Sequence, residues 1–422
     1  MFFGGFMRVV LAVVLVGLMA GFLWAAPDIP LGQSTPGADS LFETQRGYFH
    51  PALSISEVYT DNLFNTETSE ENEYITTITP ALWLAFPGQL EPAQPLTTVP
   101  TSTGGLLLTR FAENDSRPFH AFLKYEAGIK RHKNFDRENI TTHNLRALMR
   151  ATLTSGFSLE VNDVYVRSHD AYATGISIDQ SKFNTNMVSL RADMPVGERF
   201  KVQLQYSNFL VDYDSSVNSF RDRTDNKLVG SLYYALSQKT RIFAQAGVID
   251  VAYDEGVNSD NTQQIYSLGF DYALTDKVQA LAKVGYNYKD NDEGKKLSNL
   301  IYELQADYQF TPKNNLNLQL WRAVKETDTP GTSGINGTAV NAAFSQNLAE
   351  RLTATLTAGW ARDDYNGSDR QDNYIIGGAS IGYSLKKWFE ISGGYNFTER
   401  DSNQIGTDYS SNELFINLTG KI

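Results

Sequence analysis

The stretch KVQALAKVGYNYKD, residues 277–290, alternates without a break. Val278, Ala280, Ala282, Val284, Tyr286 and Tyr288 fall on one side of an extended chain, and Lys277, Gln279, Leu281, Lys283, Gly285, Asn287 and Lys289 on the other. Side chains of a β-strand point alternately to the two faces of its sheet, so the stretch predicts a strand with one apolar and one polar face. A soluble sandwich would bury that apolar face in a protein core, whereas a membrane barrel would turn it to lipid. The surrounding chain decides between them.

The same pattern recurs along the chain. NKLVGSLYYALS (226–237), QIYSLGFDYALT (264–275), LIYELQADYQFT (300–311) and WFEISGGYNF (388–397) each set an apolar face against a polar one. Each such face runs for about ten residues, the length a tilted strand needs to cross a bilayer. The connections alternate too. Short ones such as TSGF (154–157), PVGER (195–199), LTDKV (274–278) and LKKW (385–388) separate long, polar, acidic ones such as TDNLFNTETSEENE (60–73), DYDSSVNSFRDRTD (212–225) and ERDSNQIGTDYSSN (399–412). Short turns at one rim and long loops at the other are the outer-membrane arrangement, with the short turns periplasmic. Stacked soluble domains give no reason for that alternation to stay in phase.

The fold class predicted is therefore all-β, a transmembrane antiparallel up-and-down barrel spanning residues 49–422. About eighteen strands are expected, starting near residues 51, 73, 119, 142, 157, 183, 199, 224, 240, 263, 277, 299, 314, 336, 351, 373, 388 and 411. An even number returns both termini to the periplasm. Residues 87–118 stand where a short turn belongs, and are read as a periplasmic insertion in which GLLLTRF could add a small strand. With 22 Tyr and 24 Phe, the chain can supply an aromatic girdle at each membrane interface.

The N-terminus, MFFGGFMRVVLAVVLVGLMAGFLWAA, has one basic residue before an apolar run and ends in small residues, so residues 1–26 read as a cleaved signal peptide. Residues 27–48 follow as a flexible periplasmic lead-in. A net charge of −12 speaks against a nucleic-acid partner, which demands an excess of Lys and Arg. The absence of cysteine removes disulfides and thiolate metal sites. No cofactor is expected.

The faces opposite the apolar ones carry what lipid would reject. Lys124, Glu126, Arg146, Arg150, Arg191, Gln203, Gln205, Asp271, Lys283, Glu303, Asp307 and Gln319 would line an aqueous lumen, joined by Trp83 and Trp321. Barrels of 16–18 strands enclose water, and a wall of mixed charge and amides suits it. Inward aromatics, which include Tyr233, Phe243 and Phe122, could stack on sugar rings or pack against loops folded into the lumen. The acidic runs 290–294 and 363–369 hold oxygen ligands near glycine without full calcium-loop spacing. Looser divalent bridging to lipopolysaccharide is the alternative. The chain is read as no enzyme: Ser168 and His169 would point to opposite faces, and only His132 and His143, flanking one loop, could meet.

The first strand and loop, HPALSISEVYTDNLFNTE (50–67), carry Glu57, Tyr59, Asp61, Asn62, Leu63 and Phe64 in a Glu-x-Tyr-x-Asp-Asn-Leu-Phe order, and EYITTITPALWLAF (73–86) follows with Thr76, Thr77 and Pro80. This opening resembles that of the putative β-barrel porin 2 family. The resemblance implies an outer-membrane barrel of a Gram-negative bacterium that passes exopolysaccharide outward. Its expected partners are lipid, lipopolysaccharide, the barrel-assembly machinery, periplasmic polysaccharide-export components and the polysaccharide itself. The last strand ends in Ile422, where assembly signals usually end in an aromatic. A diffusion porin for small polar solutes and a surface scaffold or adhesin stand as alternatives, because a wet lumen serves each of them.

Overall fold

The computed structural model describes residues 48–86, 98–109, 118–173, 180–275, 277–292 and 296–421. The proposed signal peptide and most of the lead-in lie outside them. The described strands are β1 (Phe49–Thr60), β2 (Glu73–Phe86), β3 (Phe119–His132), β4 (Ile140–Thr152), β5 (Ser158–His169), β6 (Lys182–Val196), β7 (Phe200–Tyr213), β8 (Arg223–Ala235) and β9 (Thr240–Tyr253). They continue as β10 (Asn261–Thr275), β11 (Val278–Asn291), β12 (Lys296–Thr311), β13 (Asn314–Lys325), β14 (Ile335–Ala349), β15 (Leu352–Tyr365), β16 (Gln371–Lys386), β17 (Phe389–Ser402) and β18 (Tyr409–Lys421). Each pairs antiparallel with its neighbours in sequence, and β1 pairs with β18, so the 18-stranded sheet is a closed barrel. Every strand starts within three residues of the position expected from the pattern.

Closure is what the outward face requires. Leu268 is 66% exposed, Ile416 60% and Leu356 57%, while alternate residues on the same strands are buried. Exposed apolar side chains arranged all round a ladder with no free edge belong against hydrocarbon, where every backbone N–H must already be paired. On β11, Val284, Tyr286 and Tyr288 point outward, and Leu281, Asn287 and Lys289 are buried inward. The apolar face of residues 278–288 meets lipid.

Two outward aromatic belts flank that band. Tyr266, Tyr286 and Tyr288 cluster toward the long-loop rim, with ring centroids 6.3 Å apart for both Tyr266–Tyr288 and Tyr286–Tyr288. Toward the short-turn rim, Tyr308 lies 4.2 Å from Phe310 and Phe200 lies 5.0 Å from Tyr234. Rings with an apolar body and a polar tip are most stable at those depths. The short turn between β6 and β7 needs its glycine, since Gly197 has φ of +64°.

One expectation is corrected. Residues 98–109 do not extend outside the barrel: they cross its interior, bonded to β6–β8 and β11–β13. Residues 105–109 form no strand. Residues 87–97 and 110–117 lie outside the described residues. The reason for the inward course is chemical: TVPTSTGGLLLT carries no charge, and the wall opposite offers both an apolar shelf and a row of hydrogen-bonding side chains.

Candidate functional site: a lumen crossed by one segment

The segment 98–109 is held along its whole length. Thr98 Oγ1 lies 2.9 Å from Thr185 Oγ1 on β6. The Glu326 N–H donates to Thr101 O at 2.9 Å, and Arg223 Nη2 to Ser102 O at 3.0 Å. Gly104 N–H donates to Asp225 Oδ2 at 2.8 Å, and Ser207 Oγ to Gly104 O at 3.1 Å. Thr109 donates to both oxygens of Glu303, from N at 2.7 Å and from Oγ1 at 3.0 Å. A loop away from solvent must satisfy its backbone polar groups somewhere, and here wall side chains do it.

Glycine is required where the segment turns. Gly104 and Gly105 have φ of +67° and +95°. A Cβ on Gly104 would come within 2.6 Å of Lys227 Cδ, and one on Gly105 within 2.6 Å of Met187 Sδ. The leucines that follow fill two shelves. Leu106 packs on the cluster of Val164, Phe183, Met187, Phe209, Val211 and Tyr213, while Leu107 and Leu108 pack on Trp321, Ala339 and Ala361. Partial burial of such side chains is worth on the order of 1 kcal/mol each.

The polar side of the anchorage converges on Glu326, just past β13. Its carboxylate accepts from Lys289 Nζ at 3.0 and 2.9 Å, Gln263 Nε2 at 2.7 Å, Tyr253 OH at 2.8 Å and Asn261 Nδ2 at 3.3 Å. Burial alone would push this carboxyl up, but Lys289 and Arg223 beside it hold it below the ordinary range. Buried charge is tolerable only when paired and hydrogen-bonded in this way. Arg223–Asp225 at 3.0 Å and Lys325–Asp363 at 2.7 Å extend the same crowded rim.

Of the residues singled out from sequence, Arg191, Gln203, Gln205, Lys283, Glu303 and Trp321 line one cavity of about 140 Å³ beside the segment. Lys283 bonds Glu303 at 2.8 Å and Arg191 bonds Asp193 at 3.0 Å. Asp271 bonds Arg241 at 2.8 Å, and Arg150 lies 3.8 Å from Glu160. Lys124 bonds Glu126 at 3.0 Å on β3, Arg146 Nε donates to Asn144 at 3.3 Å, and Asp307 accepts from Asn315 at 3.3 Å. Trp83 is buried at the short-turn end, its ring 5.2 Å from that of His50, and Gln319 is partly exposed on β13. Tyr233 and Phe243 pack on each other at 5.1 Å, so these inward aromatics form clusters and no continuous track.

His132 and His143 are not brought together. His132 is buried on the inward face of β3, whereas His143 is on the outer face of β4 with Nδ1 2.8 Å from Tyr125 OH. Among the described residues no group of three His, Asp or Glu could hold a metal ion.

The opening motif serves the long-loop rim. Asp61 accepts from Asn412 N–H at 2.7 Å and from Asn412 Nδ2 at 2.6 Å, pinning the β1–β18 seam. Asn62 donates to Thr66 O at 2.8 Å and Ser410 O at 2.9 Å. Phe64 packs edge-on against Phe135 and Tyr172, tying three loops together. Glu57 accepts from Thr76 at 2.6 Å, and Tyr59 packs on Tyr74, both on the outer face. In the loop after β5, Ala173 O accepts from Arg400 Nη1 on β17 at 2.9 Å.

The remaining wall is different. The inward positions of β14–β17 carry small residues, among them Ala343, Ser345, Thr353, Thr357, Ser380, Gly382 and Asn396, all partly exposed. The segment does not reach most of them. These positions are left partly open to solvent.

No curated protein matches the chain significantly. Among solved structures, Pseudomonas aeruginosa OccK2 (OpdF) is similar with a TM-score of 0.47 at 8% identity, covering 89% of this chain and 99% of that one. Acinetobacter baumannii OccAB3 gives 0.43 at 12% identity over 89% and 99%, and the P. aeruginosa outer membrane protein OpdK 0.43 at 10% over 89% and 100%. The model of one family, described as putative beta-barrel porin 2, matches residues 120–422. With most of its barrel inside that match, the chain belongs to the putative beta-barrel porin 2 family.

Proposed function

We propose that this protein is an outer-membrane diffusion channel for small polar solutes, its lumen narrowed from the short-turn side by residues 98–109. In this reading the short turns and both termini face the periplasm and the long loops face outward. The observation that carries it is the set of small, partly exposed inward residues on β14–β17 beside a bonded segment. An exopolysaccharide conduit draws less support, since a polymer would thread past a segment bonded at Asp225, Glu303 and Glu326.

The test is reconstitution of the purified protein in planar bilayers and in liposomes. Stable single-channel conductance, with liposome swelling in monosaccharide but not in long oligosaccharide, is expected. A barrel that inserts and stays closed to both ions and sugars would overturn the reading.

A further inference from the structure

Resting on the reading of a small-solute channel, we propose that the cavity beside the segment is a binding site for small carboxylated, hydroxyl-rich solutes, with Lys227 as the cation that engages the carboxylate. Lys227 projects inward from β8 and lines the cavity. The charged groups that act on it are Lys283, Glu303 and Asp225. Both carboxylates are already engaged. Asp225 accepts from Gly104 N–H at 2.8 Å and from Arg223 Nε at 3.0 Å. Glu303 accepts from Lys283 at 2.8 Å and from Thr109 N–H at 2.7 Å. Among the described residues no hydrogen bond or ion pair is left for the Lys227 ammonium.

The segment contributes to this condition. Its Gly104 N–H occupies one oxygen of Asp225, which lies two residues away on the same face of β8, while Arg223 occupies the other. Its Gly104 also lets the Lys227 stem lie against the turn, since a Cβ there would sit 2.6 Å from Cδ. A lysine held by its stem with its charge unspent is a ready counter-charge for an anion.

The local charge balance points the same way. Arg191 and Lys201 share one carboxylate, Asp193, at 3.0 and 3.4 Å. Lys283 and Glu303 cancel, and Glu160, which also lines the cavity, is offset by Arg150 at 3.8 Å. Lys227 adds a positive charge, so this part of the lumen is net cationic within a chain of net charge −12. Gln205 and Gln245 on the same lining offer donors and acceptors that suit hydroxyl groups. About 140 Å³ admits a small organic molecule.

The experiment uses the full barrel and gluconate as probe, with glucose as the uncharged control. Calorimetric titration of detergent-solubilised protein measures binding, and bilayer recordings measure reversal potential and current block. Gluconate is expected to bind and to block where glucose does not, and Lys227→Gln to weaken that binding about tenfold, the value of one charge-assisted hydrogen bond, and to shift selectivity toward cations. Lys227→Arg should keep both properties. Heat-modifiable electrophoretic mobility confirms that each variant is a folded barrel. Conductance without any difference between gluconate and glucose, or with Lys227→Gln matching the wild type, overturns this inference and leaves the channel. Gluconate binding that depends on Lys227 in a barrel that never conducts overturns the channel and leaves the site. Absence of both overturns both.

Discussion

The lumen has two kinds of wall. From β5 to β13 the inward side chains include large, charged and aromatic ones, such as Phe183, Arg191, Phe209, Arg223, Phe243 and Trp321, set among small ones such as Ser189, Ser207 and Ser267, and all of these are buried. From β14 to β17 they are mostly small and partly exposed over the middle of each strand. Each stretch of wall could close the same barrel, because the outward faces that lipid selects are alike on both. The contrast shows that the inner face is free to follow what it must hold, once the outer face has met the bilayer's demand. One side is a bed for a segment, and the other is left partly open to solvent.

The sharpest way to break this comparison is to remove the segment. Replacing residues 87–118 by a short turn should raise single-channel conductance about threefold or more, since a barrel of this strand number without a plug leaves an open aqueous pore. The variant should also unfold at lower denaturant, because Asp225, Glu303 and Glu326 each lose a donor or neighbour from the segment. Unchanged conductance would mean that the limiting aperture lies elsewhere, at the loops around Phe64, Tyr172 and Arg400.

The same contrast explains what could be read in advance. The period of two is written in every strand because lipid acts on each outward position alone, so strand number, starts and facing followed from the chain itself. Residues 98–109 carry no such record. TVPTSTGGLLLT has no period, and its partners stand more than eighty positions away, on Thr185, Asp225, Glu303 and Glu326. The two glycines followed by three leucines were the available sign: a tight turn joined to an apolar run is costly in a water-exposed loop and sensible against a wall. Glu326 was missed for a related reason. Its worth lies in four donors from β9, β10 and β11, a convergence visible only after closure. The motif at Asp61, Asn62 and Phe64 was legible as a signature, while its role in pinning the seam and the loops depended on where β18 begins.

A matched pair of substitutions sharpens the comparison with a smaller effect. Ser380→Trp places a large ring on the β14–β17 side, where the native side chain is partly exposed. It should cut conductance by about half and change unfolding by no more than about 0.5 kcal/mol, as surface substitutions do. Gly105→Ala adds one methyl group on the crowded side, where the φ of +95° and Met187 Sδ at 2.6 Å both oppose it. It should loosen the segment and raise conductance while costing about 1–3 kcal/mol, the range for overpacking. Opposite signs from the larger and the smaller side chain would be hard to obtain if both walls were alike.

The smallest expected effect is electrostatic and lies at the head of the crowded side. Asp222, in the loop before β8, accepts from Tyr213 N–H at 2.7 Å. Burial, with Asp212, Asp254 and Glu255 nearby, pushes its carboxyl up to about 6 from an ordinary 3.8. The folded barrel therefore holds this proton more tightly than the unfolded chain does. The resulting stabilisation is fully present below about pH 4 and is lost as pH rises through about 6. Asp222→Asn keeps the oxygen that accepts from Tyr213 and removes the titration. Thermal midpoints followed from pH 4 to 7 should fall less steeply in the variant than in the wild type, and the two should converge at the acid end. Parallel curves would mean that Asp222 is well solvated when folded, and the crowding would then stop at the last strand residues instead of continuing into the loops above them.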